Sequence, residues 1–274
     1  MNTAKFTESQ FLDFTKEQMK KILPDGAIIT QKGTMEFEIQ SDKWKGELTL
    51  RNIWESYKAS GDMNQIIEFL NNSFSAQEKM DDVNNFDLNK NKHMLFPSVR
   101  SKEFVDSLID TDSVDARILA EELLGNLQKV YFLWFEGYSV PLNTTLLNVG
   151  EGITEEEVQV AAKENLLKQG WIKHSDAGPL RAGKFYVFNE GRLLFHYQFF
   201  IKEWVEENLG SEFYFSFPNK NIALVFVPDE KAKTKHILYD RNFLLDNTLM
   251  DYEAPYPMSK HVFSYRNGDY NVVL

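Results

Sequence analysis

The chain has no cysteine among its 274 residues. Disulfides, thiolate zinc sites, iron–sulfur clusters and cysteine nucleophiles are therefore excluded. Nothing in this absence argues for an oxidising compartment. Basic charge is also short: 30 Lys and Arg stand against 41 Asp and Glu, a formal net charge of −11. Phosphate backbones and anionic bilayers are held by clustered cations, so neither nucleic acid nor a membrane is expected as the main partner. Long apolar runs are missing too. The longest, Val130–Phe135 and Ile222–Val227, suit buried strands and fall far short of the roughly 20 residues that span a bilayer. The N-terminal MNTAKFTESQFLDFTKEQMKK lacks a signal-peptide core, and a cytoplasmic protein is expected. Histidine is scarce, and none of His93, His174, His196, His236 and His261 stands at metal-ligand spacing from another. His196 lies in an apolar stretch and reads as a satisfied core histidine. No metal and no cofactor are expected.

Aromatic residues are abundant: 22 Phe, 11 Tyr and 5 Trp. Each buries a large area, so a sizeable core is available, and packing explains them better than ligand stacking. Periodicity then divides the chain. A helix is expected over 7–23, with Thr7 and Gln10 at capping-box spacing and Pro24-Asp25-Gly26 as its stop. Strands follow near 27–31, 34–40 and 46–50, the second alternating Met35, Phe37, Ile39 with Glu36, Glu38, Gln40. Helices are expected at 51–59 and 63–74. The tract 75–92 is polar and rich in Asn and Asp. It suggests a small domain over 1–78, a linker at 79–92 and a larger domain over 93–274.

In the larger part, HMLFPSVR reads as an extended segment that Pro97 confines to an edge or a bulge. Asp112 is expected to cap a helix over 113–124, with Asp115 in its first turn and Gly125 as its stop. Strands near 129–135 and 138–142 precede a helix at 155–169, capped by Thr154 and Glu157. Residues 174–183 read as a polar loop, 184–188 as a strand and 192–208 as one helix, apolar almost all round. Hairpins are expected at 212–227 and at 262–273, the last turned by Asn267-Gly268. The sum is an α+β fold, antiparallel sheets with helices packed on one face.

Catalytic patterns fail on inspection. His174-Ser175-Asp176 holds the letters of a triad, but neighbours in sequence cannot converge as one. Asp110, Asp112 and Asp115 resemble an oxygen-rich cation site, yet an N-cap and a first-turn acid account for Asp112 and Asp115 without a metal. Gly150-Glu151-Gly152 lacks a third glycine, and the acids Glu155, Glu156 and Glu157 behind it would repel a phosphate. Glu121-Glu122 and Glu206-Glu207 read as solvated helix faces. Arg100 stands out. It ends an apolar strand, where its fork can meet a carboxylate or phosphate; an ion pair with Asp115 or a neighbouring acid is the structural reading.

The segments FPSVRS (96–101), LIDTDSVDARILAEELLG (108–125), AAKENL (161–166), GSEFYFSFPNKNIALVFVPD (210–229) and SYRNGDYNVVL (264–274) occur in that order. Together they resemble the YtpQ-like family of uncharacterised bacterial proteins. The resemblance implies one continuous unit over 96–274 and picks out Pro97, Arg100, Asp115 and Asn165, without roles. The stretch 236–260 departs from it, being irregular and acidic. Candidate binding residues are thus Arg100, Asp112, Asp115 and Asn165. The leading expectation is a non-enzymatic protein that binds another protein. The alternatives are a small-molecule enzyme or binding protein holding an anionic group at Arg100, and an acidic immunity or inhibitor protein.

Overall fold

The computed structural model describes residues 5–41, 45–80, 86–108, 117–135, 138–148, 152–170, 174, 176–189, 195–254 and 256–274. The chain forms two compact units, Met1–Phe86 with Glu136–Tyr138, and Asp87–Phe135 with Ser139–Leu274. The architecture is α+β, with antiparallel pairing throughout the registered strands.

In the first unit, helix α1 (Glu8–Ile22) starts at a full capping box. Thr7 Oγ1 accepts from the Gln10 amide at 3.3 Å, and Gln10 Oε1 accepts from the Thr7 amide at 2.9 Å. A meander follows: β1 (Ile28–Gly33), β2 (Glu36–Gln40) and β3 (Lys45–Thr49). Phe37 and Ile39 of β2 point inward, as alternation requires. They meet α1, α2 (Arg51–Ser60) and α3 (Asn64–Met80) in a core with Phe11, Tyr57, Ile66 and Leu70.

The second unit holds two sheets. In the smaller, β4 (Leu95–Ser101) pairs β6 (Leu127–Phe135), which pairs β5 (Ala120–Leu124) and β7 (Tyr138–Pro141). Pro97 lies on the edge strand β4, where a missing N–H is tolerated. Short helices α4 (Lys102–Ser107) and α5 (Thr144–Leu147) flank these strands. Helix α6 (Glu155–Gln169) opens on the Thr154–Glu157 capping box and packs against β4.

The larger sheet runs β13-β12-β10-β11-β9-β8. Its strands are β8 (Asp176–Pro179), β9 (Gly183–Asn189), β10 (Glu212–Asn219), β11 (Ile222–Pro228), β12 (Phe263–Arg266) and β13 (Asp269–Val272). Alternation along β10 and β11 sorts their side chains. Phe213, Phe215, Phe217, Ala223 and Val225 join a core with Phe199, Trp204 and Val205. Tyr214, Leu224 and Phe226 face the other way, under the 19-residue helix α8 (Thr234–Tyr252). Gly183 opposes Pro228 so closely that a Cβ there would stand 2.0 Å from the Val227 carbonyl oxygen.

Four expectations are corrected. Residues 120–124 are strand, not helix, because Gly125 at φ +60° turns β5 back onto β6; the residues 109–116 before them lie outside the described ones. The single helix over 192–208 is broken. Phe195–Phe200 is 3₁₀, Ile201 is extended, and α7 covers Lys202–Asn208. The break lets Phe199 and Trp204, five residues apart, both enter one core. The loop at 174–183 contains β8, paired to β9. The irregular stretch at 236–260 is mostly α8.

Candidate functional site

Arg100 is only 6% exposed. Its Nη1 donates to Ser98 Oγ at 3.0 Å and to the Val99 carbonyl at 2.7 Å. The guanidinium lies 5.5 Å from the Phe104 ring centre and 5.2 Å from that of Phe132. Ring faces and a carbonyl partly replace its lost hydration. No carboxylate lies within ion-pair distance among the described residues. Asp110, Asp112 and Asp115 lie outside those residues, so the expected pairing with Asp115 falls there too. Burial lowers the Arg100 pKa to about 10.

Two further basic side chains gather near Arg100. The 3₁₀ segment packs along β4. From it, fully buried His196 donates through Nε2 to the Ile222 carbonyl at 3.1 Å. Burial, with the Arg100 charge adding to it, pushes the His196 pKa down to about 3, so the ring is neutral at pH 7. Lys220 sits in the β10–β11 turn, its ammonium 3.2 Å from the Tyr256 ring centre. Burial first, then Arg100, lowers its pKa to about 8. Nothing in local sequence links these three, yet the Arg100 charge acts on both of the others.

Asn165 does not join Arg100. Its amide donates to the Lys92 carbonyl at 2.6 Å and the Leu95 carbonyl at 2.9 Å, fastening α6 to the start of β4. Arg100 is at the other end of that strand, roughly 16 Å away at about 3.3 Å per residue. The role of Asn165 is to satisfy backbone, not to present a free amide.

The opposite face of the β4–β6 ribbon holds a network that spacing did not reveal. Glu121 and Lys129 are cross-strand partners in the β5–β6 register. The expected solvated helix face at Glu121 is in fact strand. Glu121 Oε1 accepts from the Tyr131 hydroxyl at 2.6 Å and from Gln159 Nε2 at 3.0 Å, and its Oε2 lies 2.7 Å from Lys129 Nζ. Lys129 Nζ sits 5.3 Å from the Tyr131 ring centre and 5.9 Å from that of Tyr197. Burial and the Glu121 carboxylate raise the Tyr131 pKa, so the phenol stays protonated and donates. A cavity of about 230 Å³ opens here, lined by Pro97, Lys129, Tyr131, Gln159, Lys163 and Tyr197 among others. Arg100 lines neither this cavity nor the open depressions beside Lys92 (about 400 Å³) and His174 (about 420 Å³).

The third feature is the outer surface of α8. Inward, Asp240, Leu244 and Thr248 recur every four residues and are buried. Asp240 Oδ2 accepts from the Ala182 amide at 2.7 Å, and Thr248 Oγ1 donates to Ser216 Oγ at 2.7 Å. Outward, Leu238, Tyr239, Phe243, Leu249 and Met250 are exposed, Tyr239 by 50% and Met250 by 67%. At about 100° per residue they share an arc of roughly 140° with Asn242 and Asp246.

Among the described residues, no group of three or more His, Asp or Glu side chains could hold a metal ion. No helix of these residues is long and apolar enough to cross a membrane. Comparison with protein-family models, with curated proteins and with solved structures finds no match.

Proposed function

We propose that this protein acts in the cytoplasm by binding another protein, and that the outer face of α8 is the surface it uses. The observation that carries the reading is the exposure of five large apolar side chains along one arc of a 19-residue helix. Isolated exposed leucines need no explanation, but five large apolar side chains on one arc, with Asn242 and Asp246 set among them, do. Tyr and Phe are the aromatic types that anchor protein interfaces. Two of these side chains are already braced. Phe243 packs edge-on against Phe185 at 5.5 Å, and Arg181 stacks 3.9 Å from the Tyr239 ring centre. Bracing reduces the rotamer entropy lost on association.

The partner that fits is a protein with an apolar groove or helix face and a basic group placed opposite Asp246. The net charge of −11 favours such a partner through electrostatic steering and disfavours nucleic acid. We also hold, from the order of the segments after residue 95, that the chain is a YtpQ-like protein. That relationship supplies no residue roles. A photo-crosslinking side chain at exposed Asn242, introduced in the living cell, tests the reading. One dominant protein adduct is expected, and Asp246→Lys should remove it. Adducts that are absent, or that survive the charge reversal unchanged, refute it.

A further inference from the structure

We propose that the cavity between β4, β6 and α6 is a binding site for a small planar carboxylate, held by the ammonium groups of Lys129 and Lys163. It is independent of the α8 surface and lies in a different part of the unit.

Size comes first. At about 230 Å³ the cavity is smaller than the roughly 300–1,000 Å³ typical of sites for drug-sized ligands. One ring with one charged substituent is the scale that fits. Shape follows from the walls. Tyr131 and Tyr197 present aromatic surface, while Pro97 and Val160 supply rigid apolar contact. Such walls favour a flat apolar body over a polar or globular one.

The charge class follows from hydrogen-bond capacity. Lysine carries three donors and no acceptor. The Tyr131 hydroxyl and the Gln159 nitrogen are already committed to Glu121. Glu121 does not itself line the cavity, and its two oxygens accept from Tyr131, Gln159 and Lys129. The two ammonium groups are therefore the charged donors of the lining, whose acceptors, the Gln159 amide oxygen and the tyrosine oxygens, are all neutral. A carboxylate, which only accepts, completes it.

Lys129 is the better placed of the two. Its side chain is 12% exposed, with the ammonium held by Glu121 at 2.7 Å and flanked by both tyrosine rings. One direction of the ammonium is fixed by Glu121, which leaves donors for a ligand without a further ordering cost. Lys163 projects from α6 at the rim, next to the exposed side chain of Val160. Glu121 is thus a positioning residue.

Amide-resolved NMR titration of the full chain with benzoate, benzamide and cyclohexanecarboxylate tests the site. Benzoate should shift Pro97-neighbouring, Tyr131, Gln159, Val160 and Tyr197 signals along one saturating curve. Benzamide, without charge, and cyclohexanecarboxylate, without a planar ring, should each bind about tenfold more weakly, a step of about 1.4 kcal/mol. Lys129→Met should abolish the benzoate shifts. Because that change also breaks an ion pair, Lys163→Gln on the surface serves as a second variant and should weaken binding several-fold with the fold intact. Absence of saturable shifts, equal binding of benzamide, or benzoate binding unchanged in Lys163→Gln and Lys129→Met overturns the proposal.

Discussion

The neutral, buried His196 makes acid sensitivity of the larger unit a quantitative expectation. In the unfolded chain its imidazole takes a proton near pH 6.5, while in the fold burial holds the pKa to about 3. Between those values the unfolded state binds the extra proton, so stability falls as pH drops through 6.5 and keeps falling toward 3. The slope from this one group approaches about 1.4 kcal/mol per pH unit. At pH 5.0 the loss is about 2 kcal/mol relative to pH 7.5. Carboxylates titrate in the same range, so the comparison must be with His196→Gln, which keeps an N–H to offer Ile222 but cannot take the proton. Hydrogen exchange at the buried amides of β10 and β11, corrected for intrinsic rate, reads the opening of this unit alone. The wild type should lose about 2 kcal/mol more protection than the variant between pH 7.5 and 5.0. Equal losses would mean that His196 is hydrated enough to charge in the folded state, which would refute its burial.

Arg100→Met should leave stability within about 1 kcal/mol of wild type or raise it, since a buried cation without a described carboxylate partner is replaced by an apolar chain of similar length. A loss of 3–5 kcal/mol in urea denaturation would instead reveal a buried ion pair, with Asp112→Asn or Asp115→Asn then losing as much. Leu244→Ala, on the fully buried side of α8, should cost about 3 kcal/mol, whereas Met250→Ser on the outer side should stay within about 0.5 kcal/mol. Asn165→Ala should cost about 1 kcal/mol by removing its amide donor from the Lys92 and Leu95 carbonyls, the first of which still accepts from the Leu95 amide, and should leave benzoate binding unchanged.

Local rules carried much of the fold. The capping boxes at Thr7 and Thr154, the alternation in β2 and the Asn267-Gly268 turn each depend on residues within four positions of one another. Asn267 at φ +50° and Gly268 at φ +103° take the conformation that such a turn demands. Helix α8 is not legible in the sequence, for a physical reason. It carries apolar side chains on both its inner and outer faces, so no 3.6-residue stripe stands out, and a buried Asp240 and Thr248 sit on the inner one. Strand β5 was obscured because two adjacent glutamates and two adjacent leucines mask its alternation.

The sequence alone determined the excluded chemistries and most of the elements, because composition is absolute and capping, turns and periodicity are local. It also singled out Arg100. Only the tertiary structure decided what surrounds that residue. The reach of the Arg100 charge to His196 and Lys220, the Glu121–Lys129–Tyr131 network at a cavity, and the choice of which face of α8 is left open depend on strand register and layer packing. Those are set by pairings between segments tens of residues apart, whose side chains carry no mark of their partners until the sheets close.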